Sequence, residues 1–165
     1  MLFRSGHVDF RVKLGEMLLR AGRGADAHDQ LTAALRMAPR DIAVIGAMAE
    51  CCMTLGRVAE AIPHLQALVA AEPYNKLALN TLANALFDTG RLHEAEQAAR
   101  RYLALDDDAP SMYMLLANTL LMQDKLDEGL VLLEDAYART RDSELDRKST
   151  RLNSSHVSES RMPSS

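Results

Sequence analysis

The sequence has no tryptophan, and only 4% of its 165 residues are aromatic. A core assembled from large rings is excluded, and the β-branched and aromatic enrichment of a sheet protein is missing. Cysteine is nearly absent too. The two present, Cys51 and Cys52, are neighbours in sequence. Adjacent side chains on a helix point in different directions and do not readily pair, so a disulfide scaffold is excluded. Both read as small buried apolar residues of a chain kept in a reducing compartment. No apolar run approaches the roughly 18 residues of a membrane span. The opening MLFRSGHVDF lacks an apolar core of signal-peptide length, and a cytoplasmic location is expected. The formal net charge of −4 argues against nucleic acid as the main partner. There is no glycine-rich phosphate loop, no HExxH and no Cys–His metal spacing. The sequence therefore predicts no catalytic residue, no cofactor and no metal site. His7, His28, His64 and His93 are scattered along the chain and read as surface residues. Asp106, Asp107 and Asp108 read as a loop whose last aspartate caps the next helix, not as a cation site.

What the chain does have is alanine and leucine, which carry most of its 48% hydrophobic content and favour helix. It also has a period. Gly22, Gly56, Gly90 and Asp124 stand 34 residues apart. A basic residue follows each: Arg23, Arg57, Arg91, Lys125. An acid stands four residues beyond each turn position (Asp26, Glu60, Glu94, Glu128), and a small residue follows it (Ala27, Ala61, Ala95, Gly129). The pairs Leu14–Gly15, Met48–Ala49, Leu82–Ala83 and Leu116–Ala117 hold the same register, as do Leu18, Cys52, Leu86 and Leu120. Each unit reads as two amphipathic helices: 9–21 and 25–38, 43–55 and 59–72, 76–89 and 93–106, 110–123 and 127–140. Glycine after the first helix allows the left-handed stop, and Asp124 is a tolerable substitute. Pro39 and Pro73 close units, and Pro110 suits a first turn. Pro63 falls about one turn into its helix, where its cost is small.

This pattern resembles the tetratricopeptide repeat: the period, the Leu–Gly or Leu–Ala pair, the turn glycine, the small residue and the closing proline all match. The resemblance implies an all-α fold, a right-handed α-solenoid of stacked antiparallel helix pairs with a concave surface. It covers residues 8–143 in four units, 8–41, 42–75, 76–109 and 110–143, with 1–7 as a lead-in. The sequence departs from the family in lacking a large aromatic early in each unit, where Arg11, Ile45, Leu79 and Tyr113 stand. Arg11 marks the first unit as an exposed end.

The resemblance also implies a function, binding of a protein or extended peptide, and puts the first helix of each unit on the groove. One line there holds Glu16, Glu50, Asn84 and Asn118, with Asn80, Leu77, Phe87, Met114, Leu121 and Met122 beside the asparagines. Asparagine offers donor and acceptor to a peptide backbone, methionine and its apolar neighbours give adaptable pockets, and the glutamates favour a basic ligand residue. The family's clamp for acidic chaperone C-termini is not expected, because Val12, Glu16, Gly46 and Leu115 stand where its bases would be. The alternative is a regulatory or substrate-recognition module of a larger bacterial enzyme, of glycosyltransferase or sulfotransferase type.

The last stretch, DRKSTRLNSSHVSESRMPSS, has seven serines and no periodicity. Back-translated, Asp146 to His156 and Ser160 to Ser165 resemble a short-read sequencing adapter. Residues 144–165 are accordingly expected to be a disordered, non-native tail, with the natural gene continuing past Leu145. The tail's four basic and two acidic residues leave the rest of the chain at −6. In the last helix, Leu130 to Tyr137 (LVLLEDAY) is expected to expose an apolar face open to self-association.

Overall fold

The computed structural model describes residues 2–141, with side chains from Gly6 onward. The expected tail, 144–165, lies outside the described residues. The chain divides into two compact units, the first ending at Asp107 and the second beginning at Asp108. Every regular element among the described residues is a helix.

The first unit holds three helical hairpins. These are α1 (Leu2–Arg20) with α2 (Gly24–Met37), α3 (Ile42–Thr54) with α4 (Val58–Ala71), and α5 (Lys76–Asp88) with α6 (Leu92–Leu103). Each hairpin packs on the next through α2 against α3 and α4 against α5, and α1 also reaches α3. The second unit holds α7 (Pro110–Leu121) and α8, residues 126–141.

The repeated columns of the sequence are the parts of one turn, built four times. Gly22, Gly56 and Gly90 have φ of 74°, 69° and 73°, and Asp124 has φ of 61°. In that left-handed conformation the following amide folds back. The N–H of Arg23, Arg57, Arg91 and Lys125 donates to the carbonyl of Leu18, Cys52, Leu86 and Leu120 at 2.8–2.9 Å. The turn residues themselves donate to Leu19, Met53, Phe87 and Leu121 at 3.0–3.1 Å. This two-bond helix stop satisfies carbonyls that the helix end would leave unpaired. The basic residue then pairs with the acid three positions on: Arg23 with Asp26 at 2.6 Å, Arg57 with Glu60 at 3.7 Å, Arg91 with Glu94 at 2.7 Å. These exposed pairs sit in the first turns of α2, α4 and α6. Acids are favoured there by the helix dipole, by a few tenths of a kcal/mol to about 1.

The small column is buried. Ala27, Ala61 and Ala95 are each 0% exposed, so the two helices of a hairpin approach without side chains between them. Gly15 serves the same end in the first hairpin, where an added Cβ would come within 2.8 Å of Leu31 Cγ. Around these contacts Leu31, Val44, Ile62, Leu79 and Leu86 fill the first unit's core, while Met112, Leu116 and Leu120 are buried in the second. Burying one such side chain stabilises by roughly 1.5–3 kcal/mol.

Three expectations shift. Helix α1 begins at Leu2 instead of residue 9, because Val8 packs with Ala34 and Val44 and draws the expected lead-in into the helix. Arg11 is not idle at its exposed end; its Nη1 donates to Gln30 Oε1 at 2.7 Å. The N-cap position of α7 does not fall on Asp108. The N-cap is Ala109, without a side-chain bond, and Asp106 instead accepts from Lys76 Nζ at 2.8 Å. Pro63 lies six residues into α4 and has no N–H to give Ala59, yet the helix runs on to Ala71.

Candidate peptide-binding groove

The sequence places its functional line on the first helix of each hairpin, and the structure gives the four members different environments. On α1, Glu16 is half-buried and held by Lys13 Nζ at 2.9 Å. On α3, Glu50 is exposed and borders a cavity. On α5, Asn84 turns its amide nitrogen back along its own helix, donating to the Asn80 carbonyl at 2.8 Å and to Asn80 Oδ1 at 3.2 Å. A ligand would meet the Asn84 oxygen, not its N–H groups. Phe87, one turn on, is half-buried. In the second unit Asn118 is exposed on α7, as are Met114, Leu121 and Met122 just beyond it, each more than half exposed.

The cavity beside Glu50 has a volume of about 450 Å³, within the roughly 300–1,000 Å³ typical of ligand sites. Helices α3 and α5 form its walls and Leu65 and Leu68 of α4 its floor. It exists because Gly46, one turn before Glu50, offers no side chain to fill it, and Ala49 and Ala78 offer little. Leu77 stands over it, 75% exposed. The polar lining is largely satisfied within the fold. Thr54 and Thr81 hydroxyls donate to the carbonyls of Glu50 and Leu77 at 2.8 and 2.9 Å, and Asn75 Oδ1 accepts from the Ala78 N–H at 3.0 Å as the cap of α5. Glu50 is the one charged residue of the lining. The result is an apolar recess with a carboxylate at its edge.

Of the expected groove residues, the cavity gathers Glu50 and Leu77. Met53, Leu65, Leu68 and Thr81 line it as well. Leu65 and Leu68 carried no warning in the sequence, since they sit on the second helix of their hairpin. Gly46 did carry one. A glycine inside a helix, one turn before an acid and with apolar residues around it, signals a dent.

A tetratricopeptide repeat model matches residues 18–71 and 53–119, more than half the chain. No curated protein matches it in sequence. Several solved MamA structures share its fold. MamA AMB-1 in crystal form P212121 is 22% identical with a TM-score of 0.75, covering 79% of this chain and 72% of that one. MamA MSR-1 is 22% identical with a TM-score of 0.73, over 86% and 78%. MamA 41-end from Desulfovibrio magneticus RS-1 is 18% identical with a TM-score of 0.69, over 82% and 76%. Among the described residues no helix is long and apolar enough to cross a membrane.

Proposed function

Because the chain belongs to the tetratricopeptide repeat family of protein-interaction scaffolds, we propose that it binds an extended peptide segment without catalysing a reaction. The cavity between α3 and α5 takes an apolar side chain of that peptide, and Glu50 takes a basic residue next to it. The observation that carries this is the chemistry of the lining: an apolar recess whose single charge is the Glu50 carboxylate. The oxygen of Asn84, on α5, bonds the peptide backbone further along. A cytoplasmic site of action goes with this reading. The exposed Leu130, Val131 and Tyr137 of α8 form a second apolar face, through which copies of the chain associate.

A displayed random-peptide library tests the groove. Selected peptides should share an apolar residue beside Lys or Arg. Glu50→Lys should weaken the best of them about tenfold, as attraction turns to like-charge repulsion. Asn84→Ala should weaken the same peptides, and Asn118→Ala, measured separately, tests whether the second unit takes part in binding. Selection of peptides without a basic residue, or affinity unmoved by Glu50→Lys, refutes the assignment.

A further inference from the structure

Three side chains that the sequence scatters over two repeats meet in the first unit. A ring nitrogen of His28, Sγ of Cys52 and a carboxylate oxygen of Glu60 all lie within 4.8 Å of one another. They come from three helices. His28 is half-buried on α2, Cys52 is buried near the end of α3, and Glu60 is exposed in the first turn of α4. The turn that joins α3 to α4 fixes two of them, because the Arg57 N–H donates to the Cys52 carbonyl at 2.8 Å and the Glu60 N–H to the Arg57 carbonyl at 3.0 Å. The third arrives from the preceding hairpin.

We propose that His28, Cys52 and Glu60 form a zinc site that ties α2 to the α3–α4 hairpin. The donor set is the reason. Imidazole, thiolate and carboxylate together suit a borderline-soft ion, not calcium or magnesium, which take all-oxygen shells. Around tetrahedral zinc the ligand atoms stand about 3.3–3.7 Å apart. The cluster must therefore close by about 1.5 Å at most, within the reach of rotamer adjustment at the half-buried His28 and the exposed Glu60. Binding replaces the Cys52 S–H bond with a Zn–S bond and releases the proton to solvent. One neighbour acts against it. Arg57 holds Glu60 at 3.7 Å and must yield part of that contact. Three protein ligands leave a fourth position to water or to a partner's side chain.

The sequence hides the site because its members have no ligand spacing: His28 and Cys52 belong to different repeats, and Glu60 occupies the acid column common to all four units.

The test uses the full chain without a histidine tag, stripped with a chelator and titrated with zinc against a chromophoric competitor. One equivalent per chain is expected, with cobalt in its place giving a thiolate-to-metal charge-transfer band. His28→Ala and Glu60→Gln, both at accessible positions, should each weaken zinc at least about tenfold with unchanged helicity. Cys52→Ser should abolish the cobalt band, and Cys51→Ser should keep it. Failure to retain zinc, a cobalt complex without the thiolate band, or affinity unchanged by His28→Ala overturns the site.

Discussion

The starts of α3 and α5 differ from the start of α7, although all three hold the same place in the repeat. The first two follow Pro39 and Pro73 and are capped by a side chain. Asp41 Oδ1 accepts from the N–H of Ala43 at 2.9 Å and Val44 at 3.4 Å, and Asn75 Oδ1 accepts from Ala78 at 3.0 Å. At α7 the corresponding residue is Ala109, and Pro110 occupies the first helical position instead. One solution satisfies the free amides at the helix start; the other removes one of them and presets φ. Equal spacing is thus kept by unequal chemistry. The other end of each first helix teaches the complementary lesson. The left-handed stop is the same at all four turns, and the fourth achieves it with Asp124 where the others use glycine.

The comparison can be broken at several depths. The largest effects belong to the core, where Leu86 and Leu120 hold the same register in the two units and are each 1% exposed. Leu86→Ala and Leu120→Ala should each cost about 2–5 kcal/mol in urea unfolding. A much smaller loss at either position would mean that its surroundings collapse around the missing side chain. The turns come next. Gly90→Ala should cost about 1–2 kcal/mol, since a Cβ at φ 73° is strained. Asp124→Gly should have the opposite sign and raise the melting temperature. The caps follow. Asp41→Ala and Asn75→Ala should each cost about 1 kcal/mol, while Ala109→Asp should gain a similar amount. A neutral Ala109→Asp would show that Pro110 already does the whole task.

The smallest effect is expected at Lys76. Its ammonium pairs with Asp106 at 2.8 Å, which raises its pKa first through the hydrogen bond and then through the charge. The residue is exposed, so Lys76→Met should leave the urea midpoint unchanged at physiological salt. On the second unit, Val131→Glu should abolish concentration-dependent association in sedimentation, and a chain already monomeric at high concentration would exclude that contact.

Much of the fold was legible because each repeated letter has a local job. Glycine sets a positive φ, alanine permits close approach, and arginine and the following acid pair within one turn; such causes act over a few residues and recur with the period. The groove was legible only in outline. The direction of the Asn84 amide depends on Asn80, one turn earlier, and the recess beside Glu50 depends on Leu65 and Leu68, which reach it from another helix. Those are tertiary facts, and a column of residue types does not contain them. The start of α1 was missed for the same reason: Val8 is held by Ala34 of α2 and by Val44 of the next hairpin.

The buried pair Cys51 and Cys52 gives the molecule a built-in clock. Both thiols are shut away from solvent, 0% and 1% exposed, and burial, above all, pushes both pKa values up. Reagents attack the thiolate, so a reagent far larger than a metal ion reaches neither sulfur until the hairpin of α3 and α4 opens. The rate of thiol labelling in native buffer therefore reports how often that hairpin opens, without any added probe. A chromogenic disulfide reagent should count no fast thiol in the folded chain and two in denaturant.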